Sequence, residues 1–322
     1  MKTIMSFRAS YLSFRAKSRN LILLAVIAGL TGNLLSSCSK WTETEPISIN
    51  YLRPWDQNPE LWNKYKTSLV DYKASDHFLI YARFDNAPEK AASERDFMRC
   101  LPDSLDFVSL TNADNLSAYD KEDMTWMESI GTKVLYQVDL TKKGFTTTGE
   151  LENYLDKVIA SVKENGMTGY SFTGQYILGN ALNESLASAA VAKLSAAKTD
   201  GQVLAFEGNP LFIPEADRSK VDFFVLDSEN TEYAQDLRFQ ILTALDYAKV
   251  PAAKLLLGAD MDGTIRNEER EKCASVPELA RRVVSFGPLA GLGITNISSD
   301  YYSYDGNYVV TRAAIQLLNP SH

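Results

Sequence analysis

The chain has 322 residues, 45% of them hydrophobic and 23% charged, which is enough apolar material for one large barrel or two average domains. Net charge is −8, but residues 1–37 carry Lys2, Arg8, Arg15, Lys17 and Arg19 and no acid, so the remainder holds 28 bases against 41 acids, or −13. Such a surface repels phosphate backbones and no basic stripe interrupts it, which argues against nucleic-acid binding, and having only two histidines, His77 and the terminal His322, argues against a Ser-His-Asp triad or a multi-histidine zinc site.

Residues 1–37 form an address. A basic segment leads into the apolar run Leu21–Leu30, too short to span a bilayer permanently. Leu35-Ser36-Ser37-Cys38 then resembles the lipobox of bacterial lipoproteins, which implies cleavage before Cys38 and lipidation of its sulfur; an ordinary signal peptide containing a cysteine is the alternative. Several acyl chains anchor stably, because each buried methylene contributes about 0.8 kcal/mol. Ser39–Glu45, a lysine with acids close behind, is similar to the surface-export signal of gut-type Gram-negative lipoproteins, and so implies an outer-membrane lipoprotein exposed at the cell surface. Residues 38–72 read as a lipidated tether and lead-in, with a loop at Trp55–Pro59 and a short helix over Leu61–Tyr72.

From His77 strands and helices alternate. Strands are expected at Phe78–Phe84, Asp106–Leu110, Lys133–Val138, Tyr170–Gln175, Val203–Phe206, Phe223–Leu226, Lys254–Gly258 and Gly291–Ile297. Helices are expected at Ala91–Cys100 and near Lys121–Ile130. Thr147 or Thr148 caps the next, whose stripe is Leu151, Leu155, Ile159 and Val162. Further stripes are Leu182, Leu186, Ala190 and Leu194; Ala234, Leu237, Ile241, Leu245 and Ala248; and Leu279, Val283 and Val284. A helix over Val309–Leu318 closes the chain. Eight short apolar strands, each followed by a helical stripe, define an α/β fold, a single-domain (β/α)8 TIM barrel over residues 73–322. A doubly wound sheet would usually carry a glycine-rich phosphate loop after its first strand, and none follows Phe84.

In such barrels function gathers at the C-terminal strand ends, which here carry Asp139, Ser171, Thr173, Gln175, Glu207, Asp227, Asp260 and Asn296, among others. Asp260-Met-Asp262-Gly263 lacks the later ligands of a calcium loop and reads as a strand-end turn. No metal or cofactor is implied. Cys100 and Cys273 read as free thiols, with a bridge as the alternative.

The most informative stretch is Gly166–Tyr176. Its segment Thr168-Gly-Tyr-Ser-Phe-Thr-Gly-Gln-Tyr176 resembles the fourth-strand signature of glycoside hydrolase family 18, D-G-x-D-x-D-x-E, and the endoglycosidase form D-G-V-D-F-D-D-E-Y. Gly169, Phe172 and Tyr176 stand where that form has them, while Thr168, Ser171, Thr173, Gly174 and Gln175 replace its acids. In the family the final Glu protonates the glycosidic oxygen and the preceding Asp orients the substrate's own N-acetyl nucleophile, unlike the two-carboxylate scheme. Gln175 and Thr173 at those positions can do neither, which implies an inactive barrel that still binds glycan. General acid catalysis alone is typically worth about 10²–10⁴-fold.

The resemblance implies capture of N-glycan-type oligosaccharide for a partner endoglycosidase and an outer-membrane importer. The candidate glycan contacts are Ser171, Thr173, Gln175, Tyr176, Asp139, Glu207, Asp227, Asn296, Tyr301 and Tyr302. Two alternatives are a glycosidase with carboxylates relocated to Glu207, Asp227 or Asp260, and a protein-interaction scaffold with an unused barrel mouth.

Overall fold

Alternate positions along the strands carry two different sets of side chains, and this parity organises the molecule. The computed structural model describes residues 54–87, 91–228 and 231–320. The expected signal peptide, Cys38 and the first part of the tether therefore lie outside the described residues. Contacts divide the chain between Asn58 and Pro59; the described part before that point is one short helical turn, Pro54–Gln57.

From Pro59 onward the elements are α1 (Pro59–Ala74), β1 (Leu79–Phe84), β2 (Phe107–Leu110), α2 (Ala118–Ser129), β3 (Lys133–Asp139), α3 (Thr148–Glu164), β4 (Gly169–Thr173), α4 (Ala181–Ala197), β5 (Val203–Glu207) and β6 (Phe223–Asp227). After them come α5 (Ala234–Leu242), β7 (Leu255–Asp260), β8 (Thr264–Arg266), β9 (Lys272–Ala274), α6 (Ser275–Ser285), β10 (Gly291–Thr295) and α7 (Val309–Leu318). Eight strands close in the order β1-β10-β7-β6-β5-β4-β3-β2, each pair parallel, giving the expected (β/α)8 TIM barrel; β8 and β9 form a separate antiparallel hairpin.

Tyr81, Phe107, Leu135, Val203, Ala205, Val225 and Leu256, with Leu79 and Phe223 beside them, form one small cluster that fills the barrel. Residues of the other parity, including Ile80, Val108, Tyr136, Phe172, Phe206, Phe224 and Leu257, join the larger core shared with the helices. Phe172, the phenylalanine of the motif, is fully buried there, 5.0 Å from the Phe206 ring. Burial of a side chain of this size contributes on the order of 2 kcal/mol. Following the barrel parity toward the strand C-termini, the side chains turn polar: Arg83, Ser109, Gln137, Ser171 and Glu207.

Helix starts follow capping chemistry. The side chains of Ser117, Thr147 and Asn180 accept from Asp120 N, Glu150 N and Asn183 N at the heads of α2, α3 and α4. On α3 the fully buried stripe is Leu151, Leu155, Val158 and Val162, with Ile159 only partly covered. Leu182 and Val284, expected on buried stripes, are exposed. α1 is longer than expected and packs through buried Leu69, a Trp62–Trp126 ring stack and the Tyr65 hydroxyl donating to Asp103 at 2.6 Å.

Two segments differ from expectation. Ala91–Cys100 is not a helix but two 3₁₀ turns, Glu94–Asp96 and Met98–Cys100. Asp96 accepts from Ala92 N and Ser93 N, and extended Phe97 separates the turns, so local polar bonding replaces helical propagation. After α5 the backbone widens into a π-turn, Thr243–Tyr247, where Ala248 N reaches Thr243 O at 2.8 Å. Cys100 and Cys273 are both free and half-buried.

Candidate functional site

β4 supplies the entry to the site, and two glycines fix its course. Gly169 has φ +153°, and a Cβ there would lie 2.2 Å from the Val203 carbonyl oxygen, so only glycine allows β4 to run this close to β5. At Gly174 an added Cβ would lie 2.4 Å from the ring of Phe212, which is buried and stacked on Phe206 at 5.5 Å.

The strand expected over Tyr170–Gln175 ends at Thr173, so the three alternating polar residues do not share one environment. Ser171 is fully buried inside the barrel, Thr173 is half-buried at its mouth, and Gln175 is exposed on the following loop. That loop is pinned by its backbone: Gln175 N donates to Thr141 Oγ1 at 3.1 Å, and Asn183 Nδ2 donates to Gln175 O at 2.9 Å.

Above these strand ends lies a cleft of about 620 Å³. Its walls come from Arg83 of β1, Asp139 at the end of β3 and Thr141 just after it, Thr173–Tyr176, Gly208 and Asn209 after β5, and Leu226, Asp227 and Thr231 around β6. Phe239, Gln240 and Thr243, from α5 and the π-turn, complete it. Asp139 also accepts from Lys142 N at 2.8 Å, capping the turn Leu140–Lys143.

Beneath the cleft, Glu207 is the hub of a buried network. Tyr81 Oη donates to its Oε1 at 2.6 Å, Ser109 Oγ to Oε1 at 2.8 Å, and Gln137 Nε2 reaches both oxygens at 2.8 Å. Ser171 Oγ bonds Ser109 Oγ at 2.7 Å, and Arg83 Nη1 lies 3.7 Å from Oε2. Burial, then the charge of Glu207, holds the Tyr81 phenol well above its ordinary value, so it remains a donor. With these donors converging on it, Glu207 is tied up within the protein rather than presented to the cleft.

The remaining sequence candidates sit on the β7–β10 side and do not line this cleft. Asn296, in a left-handed conformation, donates to Asp260 at 2.7 Å, and Ser299 donates to Asp262 at 2.8 Å. Tyr301 is buried, donates to Glu94 at 2.6 Å and meets Tyr302 and Tyr308 edge-on; the Glu94 bond, then burial, raises its phenol above the ordinary value. Tyr302 is exposed. Of the carboxylates considered for a relocated centre, only Asp227 lines the cleft; among the described residues Asp139 is the other acid in its lining.

Sequence reasoning missed Arg83, Gln137, Ser109 and Tyr81, which the barrel register brings together, and Phe239, an aromatic off its helix's apolar stripe. Among the described residues no group of three His, Cys, Asp or Glu side chains is placed to hold a metal, and no helix is long and apolar enough to cross a membrane.

A (β/α)8 barrel with a polar, aromatic-edged cleft at its C-terminal strand ends belongs, by architecture, among barrels that act or bind at that face. The family model for glycoside hydrolase family 18, BT1044-like, matches residues 42–170, so this part of the chain, from the lead-in through the start of β4, is similar to that family. No curated protein sequence matches it. Among solved structures, a selenomethionine glutamate-to-glutamine variant of BT1044 is similar at 18% identity and TM-score 0.66, covering 83% of this chain and 95% of that one. An endo-β-N-acetylglucosaminidase from Cordyceps militaris follows at 16% and 0.61, covering 80% and 96%, and a chitinase from Bacteroides thetaiotaomicron at 11% and 0.59, covering 77% and 99%. At these identities the structures speak for the shared barrel.

Proposed function

We propose that this chain is a carbohydrate-binding member of the family 18-like barrels that holds an oligosaccharide in the cleft without hydrolysing it. The carrying observation is the end of β4: Thr173, Gly174 and Gln175 enter the cleft where the family motif has acids. Gln175 can hydrogen-bond a sugar but has no acidic proton to give a leaving group, and Thr173 supplies no charge for the oxazolinium-like intermediate. The nearest buried carboxylate, Glu207, is already engaged by Tyr81, Ser109 and Gln137. The similar structures named as an endo-β-N-acetylglucosaminidase and a chitinase support a carbohydrate ligand, and the endoglycosidase form of the β4 motif supports the N-glycan class.

The lipobox-like Leu35–Cys38 and the acidic stretch behind it support a lipid-anchored protein at the outer membrane, exposed at the surface, handing glycan to a partner endoglycosidase and importer. One observation favours a second reading: Asp139 and Asp227 both line the cleft and would carry any residual hydrolysis.

Calorimetric titration of the chain from Cys38 onward with N-glycan oligosaccharides, followed by mass spectrometry of the mixture, separates these. Saturable binding with intact glycan is expected. Cleaved glycan, abolished by Asp139→Asn or Asp227→Asn, would establish the second reading. Neither binding nor cleavage would leave a protein-interaction scaffold.

A further inference from the structure

Phe239 is 70% exposed and yet lines the cleft, an arrangement that costs burial and presents an aromatic face to whatever enters. It lies on α5 away from the stripe Ala234, Leu237 and Ile241, which is buried in the barrel core. Thr243, one turn on, also lines the cleft, and Tyr247, a further four residues along, is 73% exposed. The backbone between Thr243 and Tyr247 is the π-turn, a feature that in helices often marks a functional site. Tyr247 and cleft-lining Tyr176 both lie within electrostatic range of the Arg218 guanidinium, whose Nη1 also donates to the carbonyl of Ala248, the residue after Tyr247, at 2.9 Å.

The cleft's charges also discriminate. Among the described residues its walls carry one cation, Arg83, and two carboxylates, Asp139 and Asp227. Arg83 is offset from below by Glu207, 3.7 Å away. The mouth is therefore net acidic, with amides at Gln175, Asn209 and Gln240 suited to hydroxyl groups.

From the exposed aromatic face and the acidic mouth we infer that the cleft takes a neutral oligosaccharide whose chain leaves over α5, its rings stacked on Phe239 and then Tyr247, and that it rejects the same glycan capped with an acidic sugar. This rests on the carbohydrate reading above. Apolar sugar faces lie on exposed aromatic rings, while the carboxylates accept neutral hydroxyls and repel a ligand carboxylate.

The experiment is calorimetry of the chain from Cys38 onward with a neutral biantennary N-glycan and its sialylated form, for the unmodified protein, Phe239→Ala, Tyr247→Ala and Tyr302→Ala. Both α5-side residues are exposed, so unchanged melting temperatures are expected. Phe239→Ala is expected to weaken neutral-glycan binding about tenfold and Tyr247→Ala about threefold. Tyr302→Ala, exposed but away from the cleft lining, is expected to bind normally. The sialylated glycan is expected to bind at least about tenfold more weakly at low salt, with the gap narrowing as salt screens the mouth. If the unmodified protein binds neutral glycan but Phe239→Ala binds equally well, or the sialylated glycan binds as tightly, the inference falls while the carbohydrate reading stands. If the unmodified protein binds neither glycan, the carbohydrate reading falls and takes the inference with it.

Discussion

The two sides of the barrel mouth use the same residue types to opposite ends. On the arc from β3 to β6, joined by β1, the strand-end groups Arg83, Asp139, Thr173 and Asp227 converge on a cleft of about 620 Å³. On the arc of β7 and β10, Asp260 pairs with Asn296, Asp262 with Ser299 and Tyr301 with Glu94. A polar rim is therefore no sign of a site by itself. Strand-end side chains either satisfy one another and close the surface or leave room for a ligand, and only the strand register decides which.

The largest expected effect comes from removing the support under the open arc. Glu207→Ala takes the acceptor from Tyr81 and Gln137, leaves Ser109 with Ser171 alone and opens a void, so a loss of about 3 kcal/mol in chemical denaturation is expected, together with weaker glycan binding as Arg83 loses one of its partners. Equal binding after this change would mean that the network is a core feature alone. Gly174→Asp restores one motif acid but drives its Cβ into the stacked Phe212 ring, so a destabilisation of about 2 kcal/mol is expected, read as a lowered denaturation midpoint. An unshifted midpoint would show that Phe212 can move aside.

Asn296→Ala, on the closed arc, removes one exposed hydrogen bond; a loss of about 0.5 kcal/mol and unchanged glycan affinity are expected. Reduced affinity there would extend the site across the mouth and erase the contrast.

The smallest effect lies at the barrel's opposite end. His77 Nε2 meets Asp106 at 2.9 Å and Nδ1 meets the Ser75 carbonyl at 2.8 Å, so both ring nitrogens face acceptors and the imidazolium fits best. The Asp106 hydrogen bond, working against burial, raises its pKa above the ordinary 6.5. A raised histidine contributes stability that is full below its unfolded pKa and is lost as pH rises through the folded one. The stability gap between the unmodified protein and His77→Gln should therefore be wider at pH 6 than at pH 9 in urea melts. A gap that widens with pH would contradict the assignment.

Much of the barrel was legible because parallel strands buried on both faces read as short apolar runs and their helices as stripes. The hairpin β8–β9 was not: three-residue strands bearing Arg266 and Lys272, joined through Arg270 in a left-handed conformation, leave no period to detect. At the site, the β4 motif announced its own positions. The Glu207 network was hidden because its members come from β1, β2, β3, β4 and β5, and only closure of the barrel brings Tyr81 and Glu207 within 2.6 Å. Gly169 and Phe172, the matching motif residues, belong to the packing of β4 against β5, whereas Tyr176 lines the cleft. Phe239 did leave a signal, a large aromatic on the polar side of its helix.

The π-turn after α5 acts as a phase correction. An α-helix advances about 100° per residue, so residues four apart creep sideways by about 40° at each step, and a row of side chains drifts off any straight line. A turn closed by an i→i+5 bond advances less per residue and takes that creep back. Phe239, Thr243 and Tyr247 can thus stand nearly in file over about 12 Å at 1.5 Å per residue, a straight edge where a regular helix would give a spiral. Deleting a single residue between Thr243 and Tyr247 would swing the end of that file away from the mouth while leaving the barrel's own strands in place.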